Sequence, residues 1–399
     1  AGTGIGTFND RVRDAVRGGN PFTAITDQGF ASGLLTDPNE AASEIGALSQ
    51  KNRLLAAQDL IRLSLAGNLK TFNLRDASGS TKSGEQLSYN GDPGAGYTTQ
   101  PQESINYVSA HDNMTLFDAI QVKAKAEDDL ATRIRYNNLA LAVVLLSQGV
   151  PFFHAGDEIL RSKSGDTDSY NSGDWFNRID WTLQTHVWGS GLPPQDKNGS
   201  NWNTLRPLLG KASIIPAKAD MEFAMGVFTD FLKIRKAEPG LRLATAQAIQ
   251  DQVKFYDTGA TQSLGLIVEK ISTGTDGTES EGDLVVLFNG TPDARSWQDT
   301  GYTGLNYQLH PIQAGGTDPV VKEAAFRPLT GKFEVPARSA VVFRNMGGTV
   351  DTQPPPQVPT CACSTSGTNA ALGMAALALL TLWRRRRGAA RRQPILSRY

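Results

Sequence analysis

The sequence predicts an α/β fold followed by an all-β domain, on two observations. Up to about residue 240, helix-type and strand-type patterns alternate; from 241 to 344 the chain breaks into short β-rich runs separated by Gly, Asp and Thr. Asp37-Pro38-Asn39-Glu40 sets a capping residue and a proline ahead of a helical run (Ile45, Leu48, Leu54, Leu55, Ile61, Leu65) that stops at Gly67. Residues 78–96, crowded with Gly, Ser, Asn and Asp, read as a loop. Residues 105–109 read as a short strand entering Ala110-His111-Asp112-Asn113. Residues 128–148 carry a dense apolar stripe closed by Gly149, and 150–154 resume as a strand. Strand, helix, strand in this order predicts a parallel βαβ unit. In the second part, 253–256, 264–271, 284–288 and 340–343 are the clearest strands and predict an antiparallel sandwich.

The chain has 399 residues, 39 Lys and Arg against 40 Asp and Glu, and 39% hydrophobic residues, the balance of a folded protein with more than one domain. Seven arginines (Arg384, Arg385, Arg386, Arg387, Arg391, Arg392, Arg398) crowd the C-terminal end with no acid among them, so the preceding chain is acidic. That body offers no basic face, which argues against nucleic acid as a partner. Only Cys361 and Cys363 are present, so no disulfide framework or Cys-rich metal site holds the body. Residue 1 is Ala, with neither an initiator Met nor a signal-peptide pattern after it, and the expectation is the C-terminal part of a longer chain.

Residues 347–360, with Pro354-Pro355-Pro356, predict a semi-rigid linker. In the tail, 361–399, an uncharged stretch at 367–383 meets the lower length limit for a membrane-spanning helix and ends in Arg384 to Arg387. A buried core helix is the alternative. The arginines place the C-terminus in the cytoplasm and the body outside.

Two stretches carry candidate chemistry. Tyr107-Val108-Ser109-Ala110-His111-Asp112-Asn113 bunches an imidazole, a carboxylate and an amide where a strand runs into a loop, as at the C-terminal mouth of a barrel. Such a carboxylate can stabilise positive charge developing on a sugar ring, and the imidazole can donate to a hydroxyl. Spacing alone leaves open that His111 and Asp112 cap the helix starting near Thr115. The second stretch, Gly156 to Ser164 followed by Asp168-Ser169-Tyr170-Asn171-Ser172-Gly173-Asp174-Trp175-Phe176-Asn177-Arg178, supplies the aromatic faces, carboxylates, amides and arginines that bind sugars. A salt-bridged surface loop has the same composition. His154 reads as a satisfied core residue at a strand end.

Five segments in order, Ile5 to Asp14, Tyr107 to Asn113, Gly149 to Glu158, Ser169 to Asn177 and Gly191-Leu192-Pro193-Pro194, resemble the pullulanase and limit-dextrinase branch of the α-amylase family, glycoside hydrolase family 13. The resemblance covers residues 1 to about 345. It implies the C-terminal part of a catalytic (β/α)8 TIM barrel at 1–240, a pullulanase-type β-sandwich at 241–346, and a retaining glycosidase that opens α-1,6 branch linkages in pullulan, starch or glycogen dextrins. By the same resemblance Asp112 is the transition-state stabiliser, with His111 and Asn113 beside it on the sugar. Asp168, Tyr170, Trp175 and Phe8 are candidate substrate contacts, although an aromatic in a barrel loop is as often packing as sugar platform.

The nucleophile and the acid/base of that branch belong to Gly-Phe-Arg-x-Asp and Glu-x-Trp-Asp motifs, and neither occurs in residues 1–399. A catalytically inactive surface protein that binds glucan is therefore the rival reading; an α-1,4-acting amylase fits the 169–177 segment less well. Two departures touch the outer glucose sites: Thr167 stands where the family carries a basic residue, and Ser200 where it often carries an acid. No cofactor is required; calcium is a candidate by family analogy, but no Asp-rich loop spells a complete site. Cys361-Ala362-Cys363-Ser364 with the tail resembles the myxobacterial sorting signal MYXO-CTERM, which implies processing at Cys361 and Cys363 by sorting machinery and a secreted or cell-surface protein, at least transiently anchored in a bacterial membrane.

Overall fold

The computed structural model describes residues 4–350, apart from 45 and 276. Strand β1 (Thr7–Asn9) leads into helix α1 (Asp10–Arg17), which buries Val12, Ala15 and Val16 on one face. Gly18 ends that helix at φ +98°, and a Cβ there would lie 2.3 Å from the Asp27 carbonyl oxygen, so only glycine fits. The helix predicted after Asp37 is present in two pieces, α2 (Glu40–Glu44) and α3 (Ala47–Leu65), with Gly46 at φ +78° between them. The Asn39 side chain accepts from the Ala42 N–H at 2.8 Å, as its capping role requires. Leu54, Ala57, Ile61 and Leu65 face the core, whereas Leu48 lies in solvent.

Residues 78–96 differ from the predicted loop. Strand β2 (Asn73–Arg75) pairs with β3 (Thr81–Ser83), and β4 (Ser88–Tyr89) with β5 (Asp92–Pro93). Ladders of two or three residues are too short to leave an alternating pattern in sequence. Strand β6 (Ser104–Asn106) follows, then α4 (Leu116–Lys123), α5 (Leu130–Leu146) and β7 (Val150–Pro151). Both β1–β6 and β6–β7 are parallel, so the predicted parallel unit is present, with shorter strands than expected. Buried amides bind the three together: Asn9 Nδ2 donates to Asn106 Oδ1 at 2.9 Å, and Asn106 Nδ2 to the Gln148 carbonyl at 2.7 Å. Among the described residues the outer edges of β1 and β7 have no strand partner.

After β7 come the short helices α6 (Asp174–Asn177) and α7 (Gln195–Asn198), then α8 (Trp202–Leu209) and α9 (Lys218–Ala237). Helix α5 is buried on nearly every side, polar Arg133, Asn137 and Asn138 included, because α9 and the C-terminal sheet pack against it. Arg235 of α9 closes its C-terminal end, donating to the carbonyl of Leu145 at 2.8 Å and to those of Ser147 and Gly149, just beyond the helix, at 2.6 and 2.9 Å.

Residues 246–252, read with the sandwich in the sequence, are the helix α10 (Ala246–Gln252). The strands that follow are β8 (Val253–Tyr256), β9 (Leu266–Ile271), β10 (Leu284–Asn289), β11 (Arg295–Gln298) and β12 (Leu305–Leu309), then helix α11 (Pro311–Ala314), β13 (Ala325–Arg327), β14 (Lys332–Val335) and β15 (Ser339–Thr349). They form an antiparallel five-stranded sheet, β12-β15-β10-β9-β8, and an antiparallel three-stranded sheet, β11-β14-β13. Leu266, Val268, Val285, Leu287, Val341 and Phe343 pack toward Tyr302, Tyr307 and Phe333 between the sheets. The alternate residues Ile267, Ile271, Val286, Phe288 and Val342 join the core that continues into α1, α3 and α5. Burial on both faces explains why β9 and β10 read as apolar runs without alternation. The linker predicted at 347–360 starts too early, because 347–349 continue strand β15 to Thr349 in its pairing with β12. Its remainder from 351, the span at 367–383 and the two cysteines lie outside the described residues; among the described residues no helix is long and apolar enough to cross a membrane.

Candidate active site

Beyond the C-terminal end of β6, the middle strand of the parallel sheet, the chain carries Tyr107 to Asn113. Tyr107 is buried: its hydroxyl donates to Asp10 Oδ1 at 2.5 Å and accepts from Arg13 Nη1 at 2.6 Å. Arg13 Nε also reaches Asp14 Oδ1 at 2.7 Å, and the Tyr89 hydroxyl closes on Asp14 Oδ2 at 2.5 Å. Burial works against the Arg13 charge, but the hydrogen bond to Asp14 and the Asp14 charge outweigh it and hold Arg13 above its ordinary pKa. Burial, with the bond to Asp10, pushes the Tyr107 phenol up, so it stays a neutral donor. Phe8 is half-exposed and edge-on to Tyr107 and Phe152, with centroids 4.9 and 5.2 Å apart, so the strand end carries an aromatic cluster and Phe8 keeps one open side.

His111 and Asp112 lie in the open, with side chains 83% and 78% exposed and His111 Nε2 3.4 Å from Asp112 Oδ1. They do not cap the next helix; Thr115 does, its Oγ1 accepting from the Asp118 N–H at 3.1 Å. Asn113 holds φ at +63°, a conformation Asn tolerates better than most residues. The backbone of this turn is fixed from below by buried Lys163, whose Nζ donates to the His111 carbonyl at 3.1 Å. Lys163 is anchored in turn through its N–H to Asp118 Oδ2 at 2.8 Å, which also accepts from Gly165 N–H at 3.1 Å.

The second stretch packs alongside. Asp157 is buried, its Oδ2 accepting from Ser109 Oγ at 2.6 Å and from the His154 N–H at 3.3 Å. Burial pushes its carboxyl up to about 7. His154 is buried as expected but only half satisfied: Nε2 meets Arg161 Nη1 at 2.8 Å, and Nδ1 has no partner among the described residues. Burial, then the Arg161 charge, lowers it to about 4, so it is a neutral acceptor. Arg161 also donates to the Asn177 carbonyl at 2.9 Å, stapling the 169–177 loop to the end of β7. In that loop Asp168 Oδ2 lies 3.6 Å from Lys197 Nζ, which sits 3.9 Å above the ring of Tyr170, itself 82% exposed. Trp175 is half-exposed, donates to the Ser190 carbonyl at 3.2 Å and carries Arg178 over its ring. Two groups result: His111, Asp112 and Asn113 at the end of β6, and Asp168, Tyr170 and Trp175 on the loop after β7. Sequence reasoning missed Asp157, Lys163 and Lys197. The first two stood inside a quoted stretch; Lys197 had no motif, and it brings a cation to Asp168 and Tyr170. Among the described residues no cluster of three or more His, Cys, Asp or Glu could hold a metal ion.

Residues 183–346 match the family described as α-1,6-glucosidases, pullulanase-type, C-terminal. Over most of its length the chain is also similar to pullulanases. In particular, the chain is 44% identical over 350 residues to pullulanase 1, chloroplastic, of Arabidopsis thaliana, a match covering 86% of this chain and 36% of the relative. It is 39% identical over 350 residues to the pullulanase of Klebsiella pneumoniae, covering 86% and 31%. Among solved structures, the maltotriose complex of PulA from Klebsiella pneumoniae superposes with a TM-score of 0.79 at 37% identity, over 88% of this chain and 38% of that one. The chain spans about a third of the length of these relatives.

Proposed function

We propose that the whole protein is a retaining glycoside hydrolase that cleaves α-1,6 branch linkages in pullulan, starch or glycogen dextrins, and that this chain holds the last strands of its (β/α)8 barrel and its C-terminal β-sandwich. The observation that carries the reading is His111-Asp112-Asn113 standing free beyond the middle strand of a parallel sheet, on a backbone fixed by Lys163, in a chain 44% identical to a pullulanase. Asp112 stabilises the oxocarbenium-like transition state, and His111 and Asn113 hold hydroxyls of the sugar being cleaved. Asp168, Tyr170, Trp175 and Phe8 contact further glucose units. Hydrolysis requires a nucleophile and an acid/base from elsewhere in the whole protein, since neither motif occurs in residues 1–399.

In the full-length protein Asp112→Asn lowers kcat about a hundredfold or more while substrate still binds, because a group acting on the transition state contributes to rate rather than to binding. His111→Ala has an intermediate effect. Activity within a few-fold of wild type in Asp112→Asn sinks the assignment, and a protein that binds branched dextrin yet turns none over, with no upstream nucleophile, is the inactive glucan binder.

The tail supports a second proposal: 367–383 anchors the new protein in a bacterial membrane with the body outward, and sorting machinery cuts or modifies it near Cys361 and Cys363. Mass spectrometry of surface-released protein tests this, and an intact terminus at Tyr399 refutes it.

A further inference from the structure

A cleft of about 270 Å³ shares Asn113 with the candidate active site and is lined also by Arg17, Asn20, Phe22, Lys123 and Thr167. Two of these are buried cations, Arg17 at 6% and Lys123 at 4% exposure. Neither forms an ion pair among the described residues. Lys123 Nζ donates to a backbone carbonyl, that of Asp27, at 2.7 Å, whereas Arg17 Nε is buried with no partner among the described residues.

The neighbouring acids are engaged elsewhere. Asp14 is held by Arg13 and Tyr89, the Asp27 carboxylate faces Arg53 at 3.6 Å, and Asp157 is bound by Ser109 and the His154 N–H. Burying two cations side by side with no carboxylate in contact is costly, and perturbed charges gathered in a cleft mark a candidate binding site. Lys123 has a structural task at the Asp27 carbonyl; Arg17 Nε has no such partner among the described residues. Burial, and then the Arg13 charge, lowers Arg17 to about 10; burial, and then the Arg17 charge, lowers Lys123 to about 7, while the fields of Asp14, Asp27 and Asp157 offset only part of this.

We propose that this cleft binds an oxyanion carried by the substrate, a phosphate monoester on a glucosyl unit of the branched glucan, with the Arg17 fork and the Lys123 ammonium on the phosphate oxygens. An arginine fork matches phosphate geometry, and a lysine adds a point charge. The rest of the lining suits the sugar that bears the ester: Asn20, Asn113 and Thr167 offer groups to hydroxyls, and Phe22, 95% exposed at the rim, offers a flat apolar face. The proposal rests on the glucan reading above and adds a substrate class to it.

The test uses the full-length protein, with one branched dextrin in plain and phosphorylated forms and with inorganic phosphate as a separate probe. Wild type is expected to show a KM about tenfold lower for the phosphorylated dextrin. Arg17→Met abolishes that preference and leaves hydrolysis of the plain dextrin unchanged; Arg17→Lys, which keeps charge but loses the fork, retains part of it and guards against a folding failure of the first variant. Equal KM for the two dextrins in wild type overturns the proposal, as does a preference that survives in both variants. If inorganic phosphate raises Tm in wild type and not in Arg17→Met while the dextrins remain equal, the cleft holds free phosphate and the ester proposal is overturned. Should wild type hydrolyse neither dextrin, the debranching reading has failed, and calorimetric binding still decides the cleft: tighter binding of the phosphorylated form supports it, equal binding overturns it.

Discussion

Glu269, in the middle of β9, is fully buried on the sheet face that meets the helices, and neither carboxylate oxygen has a partner among the described residues. Its neighbour Lys270, on the opposite face, sits within 3.0 Å of Asp283 and 3.2 Å of the Tyr307 hydroxyl, so one strand carries a satisfied charge and an unsatisfied carboxyl back to back. Burial pushes Glu269 up to about 8. The folded state therefore keeps a proton that the unfolded chain releases near the ordinary glutamate value, and stability falls as pH rises from there to about 8, then levels. Glu269→Met removes this penalty. Urea midpoints are expected to favour the variant by about 2 kcal/mol at pH 9, with the gap closing toward pH 4; parallel curves over that range would show that Glu269 finds a partner in solution.

At the scale of elements, α5 depends on its ends more than on its propensity. Asp129 caps it, its side chain accepting from the Thr132 N–H at 2.8 Å, and Asp129→Ala should cost about 1 kcal/mol by thermal or urea unfolding. An unchanged midpoint would mean that burial alone holds the helix. This helix was legible because its apolar run is long and bounded by Asp and Gly. Strand β8 fell on the predicted residues for a related reason: short β-rich runs between turn residues are local signals. The parallel strands were read too long, since β6 and β7 leave the sheet early to build Tyr107 to Asn113 and the turn at Gly156. The His111-Asp112-Asn113 motif was legible because its residues are adjacent in sequence. Arg17, Lys123 and Asp157 were not, because each gains its meaning from partners, or from the lack of them, that only the folded chain brings near.

For the molecule as a whole, the parallel sheet ends in two open edges among the described residues, at β1 and β7. Open edges and uncovered strand ends favour association over solubility. With the sheet open and neither the nucleophile nor the acid/base motif in the sequence, residues 1–399 expressed alone are expected to release no reducing sugar from pullulan or branched dextrin. Release abolished by Asp112→Asn would instead locate the whole catalytic set within these residues.

Gln148 ties the parallel sheet to the start of the C-terminal sheets. Its backbone carbonyl accepts from Asn106 on β6, its side chain donates to the Gly240 carbonyl at 2.7 Å and accepts from the Leu243 N–H at 2.9 Å, while Arg235 grips the same turn. The strand that presents Asp112 and the entrance to the C-terminal sheets thus share one knot of hydrogen bonds. Exchange of C-terminal regions between relatives, in a laboratory chimaera or by recombination, would preserve that knot only if the crossover fell before β6 or after Leu243; a junction near residue 200 would inherit its two halves from different parents.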